Sequence, residues 1–324
     1  YAALKTAMSD IHIRIEGRAG RITLNRPKAL NAITYEMVRA IEDALERWRN
    51  DDAVSLVLID AEGDRAFCAG GDIREIYHTG RQGDFVFARR FWVEEYRLNA
   101  KIAAYNKPYV ALCQGLVMGG GVGISVHGSH RIVCENTSVA MPECRIGLVP
   151  DVGGTALLAE APGRLGEYLA LTGMGIGPGD TLYAGLADHF VPRAHWADLA
   201  AQLVETGRLD AIAEQERPPP ESALKHVQDH IDDVFSMPDL STLIARLESS
   251  DWGQDALAML RQNSPLAMAC ALRLVREART DPGVERALER EHRFTYRAIS
   301  NGDLLEGVRA AIIDKDRTPR WRHD

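Results

Sequence analysis

Two carboxylates and two glycine-bearing loops are the residues of this chain that could act together on an acyl group. Glu143 follows Pro142, and Asp151 stands eight residues later, just ahead of a glycine pair. Upstream, Gly119, Gly120 and Gly121 follow a short apolar run, Tyr109-Val110-Ala111-Leu112. Earlier still, AFCAGGDI (Ala66 to Ile73) places Gly70 and Gly71 after a second apolar run, Val54 to Ile59. Glycine admits a sharp turn and lets a ligand approach the backbone with no Cβ in the way. Free amides at Gly71 and Gly120, each ahead of a helix, would supply the two donors of an oxyanion hole. A carboxylate beside them could move protons or attack a carbonyl carbon.

Each of these residues also has a plainer reading. A glycine triplet usually marks a tight turn. Glu143 could cap the turn after Pro142, and Asp151 could cap the next helix, a role compatible with chemistry. Cys68 and Cys144 lie near the proposed site, but no nearby histidine is placed to activate them, and they read as packing residues. The five cysteines form no C-x-x-C pair and the ten histidines show no ligand spacing. Free thiols and no metal are therefore expected.

The elements that must position these residues follow from periodicity. Ile11, Ile13 and Ile15 alternate with polar residues as a half-buried strand, and Arg21 to Leu24 forms a second. Thr34 is a suitable N-cap for a helix from Tyr35 to Arg49, whose apolar residues share one face. Residues 84 to 106 are helical by pattern, and Glu95 there would ordinarily belong to a solvated face. Beyond Gly121 the pattern predicts a helix over Val122 to Val126. A strand pair follows, His130 to Cys134 and Ser138 to Ala140, then a helix from Ala156 to Glu160. Asp188-His189 is assigned no chemistry. EQERPPPES, residues 214–222, reads as a linker. It divides a core at 10–213 from helices at 222–324: Leu240 to Glu248, Trp252 to Asn263, Pro265 to Arg279, Val284 to Ser300 and Leu304 to Asp314. Ser264 with Pro265 forms an N-cap and N1 pair.

Composition bounds the remainder. At 324 residues, 46% hydrophobic and 26% charged, the chain is ordinary for a globular protein. No segment approaches the roughly 20 apolar residues of a membrane span. A net charge of −8 argues against nucleic acid, and means that an anionic substrate must be met by local basic groups and helix N-termini. The opening YAALKTAMSD shows no secretory pattern and no initiating Met; a cytoplasmic location is expected, with a removed organellar targeting peptide left open.

NRPKALNAI (Asn25 to Ile33), AFCAGGDI and the glycine triplet, in that order, resemble the crotonase (enoyl-CoA hydratase/isomerase) superfamily. Within it, GGGVGISVHGSHRI followed by MPECRIGLVPDVGG looks most like the 3-hydroxyisobutyryl-CoA hydrolases. The resemblance implies an α/β fold of stacked ββα units with a C-terminal helical region over the acyl pocket. It implies an acyl-CoA substrate and no separate cofactor, and leaves a homo-oligomer open. By the same resemblance, the loop at Arg26, Lys28, Ala29 and Leu30, with Ala69, Asp72 and Ile73, would meet CoA. Glu95, Gly70, Gly71, Gly119, Gly120, Glu143 and Asp151 would surround the acyl group. The resemblance puts the two hydratase carboxylates at positions 123 and 143; position 123 is Gly123. A hydratase would therefore lack one partner, and Glu143 with Asp151 points to thioester hydrolysis. Glu143 would act as nucleophile or general base, and Asp151 would place water and the 3-hydroxyl or shuttle a proton. A hydratase or isomerase, and a non-catalytic acyl-CoA binder, are the alternatives. The basic end, Arg317 to His323, is either a phosphate contact or a solvated tail.

Overall fold

The computed structural model describes residues 9–323. Residues 1–8, most of the segment read above for a targeting signal, lie outside the described residues. Among the described residues, nine strands fall in two sheets. β1 (Ile11–Glu16), β2 (Ala19–Leu24), β3 (Leu56–Ala61), β5 (Tyr109–Cys113), β7 (His130–Val133) and β9 (His189–Phe190) form the larger sheet, in the order β1-β2-β3-β5-β7-β9. β4 (Ala66–Cys68), β6 (Leu116–Met118) and β8 (Ser138–Ala140) form the smaller, in the order β4-β6-β8. Only β1 and β2 pair antiparallel.

The middle of the large sheet is covered on both faces, which is why β3 and β5 read as apolar runs. Val57, Ile59, Tyr109 and Ala111 face the main core, with the helices Tyr35–Trp48 and Val86–Ala103. Leu56, Leu58, Val110 and Leu112, one residue out of step, pack on Trp196, Leu199 and Leu203 of the helix Trp196–Thr206. That helix, and Gln228–Phe235 beyond the proline run, are additions to the sequence reading.

His130–Val133 and Ser138–Ala140 do not pair with one another as expected. β7 lies beside β5 and β8 beside β6, because each crossing of the chain leaves one strand in each sheet. Two helices also begin earlier than expected, at Gly120 and Gly154 rather than at residues 122 and 156. Glycine is accepted in the first because a Cβ on Gly121 would stand 2.3 Å from the Cys68 carbonyl oxygen. The anticipated caps are present: Thr34 accepts from Met37 N, and Ser264 from Ala267 N with Pro265 in the first turn. The last helix is α-helical over Leu304–Val308 and continues as a π-helix over Arg309–Ile313.

What positions the site is the small sheet. Its three strands run parallel, with Met118 opposite Ala140 and Cys68 opposite Val117, so their C-terminal ends lie side by side. Gly71 follows β4, Gly120 follows β6, and Glu143 follows β8. The loop at 25–33 is knitted to the first of these ends. Ile33 N donates to Gly70 O, and Ala69 N to Leu30 O. Asn31, buried and at φ 54°, accepts from Arg26 N and donates to Glu62 O and Ala66 O.

Replacing Asn31 with Ala orphans three backbone groups and puts a Cβ-bearing residue with no side-chain hydrogen bond in the left-handed region. The expected loss is about 3 kcal/mol of unfolding free energy. Urea unfolding of Asn31→Ala measures it, and a loss under about 1 kcal/mol would show that the side chain does not hold this loop.

Candidate active site

A cavity of about 460 Å³ opens where the three strand ends meet. Gly71, Gly120, Glu95, Glu143 and Asp151 all line it, and Phe91, Trp92 and Leu148 supply apolar wall. Neither Gly71 N nor Gly120 N donates to an acceptor among the described residues. The two loops approach closely: a Cβ on Gly120 would lie 3.3 Å from Gly71 N. Gly119 turns the chain just ahead of Gly120 with φ 48° and ψ −116°, and a Cβ there would sit 2.8 Å from Glu143 Oε1. The arrangement offers two free amides, with Glu143 beside Gly119 and Glu95 beside Gly120. A larger hollow of about 580 Å³ lies by Arg81, Arg309 and Arg320 but contains none of these groups.

The three carboxyls differ in their partners. Glu95 reaches the cavity from the helix Val86–Ala103, only 3% exposed, with Oε1 unpartnered. Glu143 opens a short 3-10 turn and leaves Oε2 unpartnered. Burial, then the charge of Asp151, holds both well above the usual carboxylate range. Asp151 Oδ2 accepts a 2.6 Å hydrogen bond from the Tyr96 hydroxyl. Burial pushes Asp151 up to about 6, against the lowering effect of that hydrogen bond. Asp151 is thus the first of the three to ionise. Its side chain caps no helix: the N-cap of the next one is Gly153.

The segment carrying Asp151 is held from behind. Glu291, on the helix Val284–Asn301, accepts from Gly153 N at 2.7 Å, Thr155 N at 2.9 Å and the Thr155 hydroxyl at 2.5 Å. Burial lifts Glu291 to about 7 against those donors. His127 Nε2 meets Val152 O at 2.7 Å, and burial lowers this imidazole to about 4, so it is neutral and donates. Val152 is thereby fixed at φ 54°, a region that a β-branched residue seldom occupies.

Position 123 faces elsewhere. A Cβ there would stand 2.6 Å from Asn99 Nδ2 and 2.8 Å from Val152 Cβ. The volume beside Gly123 is already filled by two buried side chains.

The enoyl-CoA hydratase/isomerase family profile matches residues 19–324. The chain belongs to that family. A 3-hydroxyisobutyryl-CoA hydrolase of Gallus gallus, named as mitochondrial, is 37% identical over 97% of this chain and 84% of its own length. A probable 3-hydroxyisobutyryl-CoA hydrolase of Arabidopsis thaliana is 38% identical over 97% of this chain and 87% of its own. Among solved structures, one from Rhodobacter sphaeroides described as an enoyl-CoA hydratase matches at TM-score 0.93 and 53% identity, over 97% of this chain and 93% of that one. The crotonase-like α/β fold of the resemblance is therefore the fold of this chain.

Of the residues expected to meet CoA, Ala69 and Ile73 line the cavity, as does Gly70 from the set expected around the acyl group. The guanidinium of Arg26 is committed internally, to Asp72 at 3.0 Å, Asp10 at 3.3 Å and the Ala32 carbonyl. Asp72 is correspondingly engaged, whereas Lys28 is exposed and makes no ion pair among the described residues. Asp188 serves Arg131 rather than His189. The Cys68 thiol is pushed up to about 12, and Cys144 well above its ordinary value, by burial, as suits packing. Tyr96, Asn99, His127 and Glu291 went unread in the sequence. Tyr96 at least adjoins Glu95; Glu291 looks like any charge on an amphipathic helix.

The crowding at position 123 gives a measurable consequence. Gly123→Ala should lower stability by about 1–3 kcal/mol through overpacking. An unchanged thermal midpoint would mean that the site has room for a side chain after all.

Proposed function

We propose that this protein hydrolyses a short 3-hydroxyacyl-CoA thioester, 3-hydroxyisobutyryl-CoA first among candidates, to the free acid and CoA. The observation that carries this reading is the filled space beside Gly123, next to a cavity lined by Glu143 and Asp151. Conjugate addition of water to an enoyl-CoA must hold one water beside the acyl chain, which two carboxylates do well. Here the second has neither a side chain nor room for one. The names of the hydrolase relatives support the same choice. The hydratase description of the Rhodobacter structure is the competing one.

In this reading the thioester oxygen lies between Gly71 N and Gly120 N, each donor contributing about 2.7–4 kcal/mol to the transition state. Glu143 rests protonated, so its proton passes first to ionised Asp151. Glu143 then attacks the thioester carbon, or takes a proton from a water that attacks it. In either route the C–S bond breaks and the CoA sulfur receives the proton held by Asp151. In the first, water afterwards cleaves the mixed anhydride and frees Glu143. Heavy-oxygen label found on Glu143 after turnover in labelled water marks that route. Glu95, neutral beside the amide donors, contacts the acyl group without opposing the developing negative charge. Ile312, in the C-terminal helical region, closes part of the cavity wall. Water is the second reactant, so the reaction calls for no cofactor beyond the CoA of the substrate.

The decisive measurement is wild-type kcat/KM for 3-hydroxyisobutyryl-CoA hydrolysis against crotonyl-CoA hydration. A ratio favouring hydration overturns the hydrolase reading. Glu143→Gln keeps the size of the side chain and should lower thioester cleavage by roughly 10²–10⁴-fold with the fold intact. Near-normal turnover would remove Glu143 from the mechanism.

A further inference from the structure

We propose that Tyr96 is a positioning residue that acts through Asp151: its hydroxyl fixes the Asp151 carboxylate and assigns the site's one negative charge to that group rather than to Glu95 or Glu143. The proposal rests on the acyl-transfer reading of this site. Tyr96 adjoins Glu95 on the helix Val86–Ala103, so one helical turn sends a free carboxyl into the cavity and a hydroxyl to Asp151. The ring is buried and stands edge-on to His292, at 6.1 Å between centroids and 85° between planes. The backbone around Asp151 is pinned by Glu291 and His127, but among the described residues the only side chain that hydrogen-bonds its carboxylate is Tyr96, at 2.6 Å.

Charge gives that single contact its weight. Glu95 and Glu143 from the cavity wall, Glu291 from the helix behind and neutral His127 beside Val152 are the titratable groups about Asp151, and His292 packs on the Tyr96 ring. The one cationic side chain lining the cavity, Arg145, is exposed to solvent. Three like carboxyls in one buried site cannot all ionise, and a hydrogen-bond donor decides which one does. Burial alone would raise Asp151 with the others; the Tyr96 hydroxyl pulls it back, leaving it ionised above about pH 6. An ionised Asp151 can receive the Glu143 proton. Activity should therefore rise with pH as Asp151 loses its proton.

The test is Tyr96→Phe, which removes the hydroxyl and keeps the ring. Full pH–rate profiles are compared with wild type on whichever acyl-CoA reaction the wild type catalyses. This separates failure of the proposal from failure of the hydrolase assignment. Without the donor the Asp151 carboxyl binds its proton more tightly, so the acidic limb moves to higher pH, by about one unit. Near neutral pH, kcat falls roughly tenfold or more, the usual worth of a hydrogen bond to a charged group, while KM stays within a few-fold. In an Asp151→Asn background the same change should cost little, because a residue acting through Asp151 has nothing left to act on. If Tyr96→Phe fails to fold, 3-fluorotyrosine at position 96, a stronger donor of nearly the same shape, should move the limb to lower pH. An acidic limb unmoved by either change, or full additivity with Asp151→Asn, overturns the proposal.

Discussion

The parallel register of three very short strands is the constraint on which the rest depends. β4, β6 and β8 each span three residues, yet their pairing sets Gly71, Gly120 and Glu143 at neighbouring strand ends. Parallel strands align like ends, and the loops leaving them converge on one side. The larger sheet supplies the rigidity. Each of β3, β5 and β7 is buried on both faces and hands the chain on to one of the short strands. The free amides are then a consequence of topology. A strand that ends beneath a helix start leaves donors with nothing inside the protein to bind.

Electrostatics explains the second layer of organisation. The cavity gathers three carboxyls with no buried cation, an arrangement that water would relieve and that burial aggravates. Burial and the neighbouring charge hold Glu95 and Glu143 well above the usual carboxylate range, while the third group, Asp151, receives a hydrogen-bond donor. Buried carboxyls with unequal environments are the usual basis for dividing acid and base roles at neutral pH. Glu291 stands apart from this division. It is spent on backbone amides and the Thr155 hydroxyl, holding the helix start that follows Asp151.

Within this family the same scaffold carries both names, hydrolase and hydratase, at substantial identity to this chain. A shared scaffold does not choose between them; the groups around the cavity do. Asn99 and Val152 fill the space next to Gly123, and the loop bearing Val152 also bears Asp151. Filling the space beside position 123 and setting Asp151 at the cavity are thus linked in a single packing arrangement.

The sequence by itself determined what depends on local backbone chemistry. Glycines at 71 and 120 after apolar runs, the Thr34 and Ser264 caps, and the alternation in β1 all reflect preferences that act within a few residues. The carboxyls at 143 and 151 were legible because they lie close in sequence to the turns that place them. Tertiary structure alone decided which strands share a sheet, since buried β7 and β8 offer no alternation to mark a partner. It alone also decided that Tyr96 meets Asp151, and that Glu291 meets Gly153 and Thr155 across more than a third of the chain. On a helix, a charge that will be buried against a distant loop and one that will face water show the same spacing. Only packing, by removing the water, tells them apart.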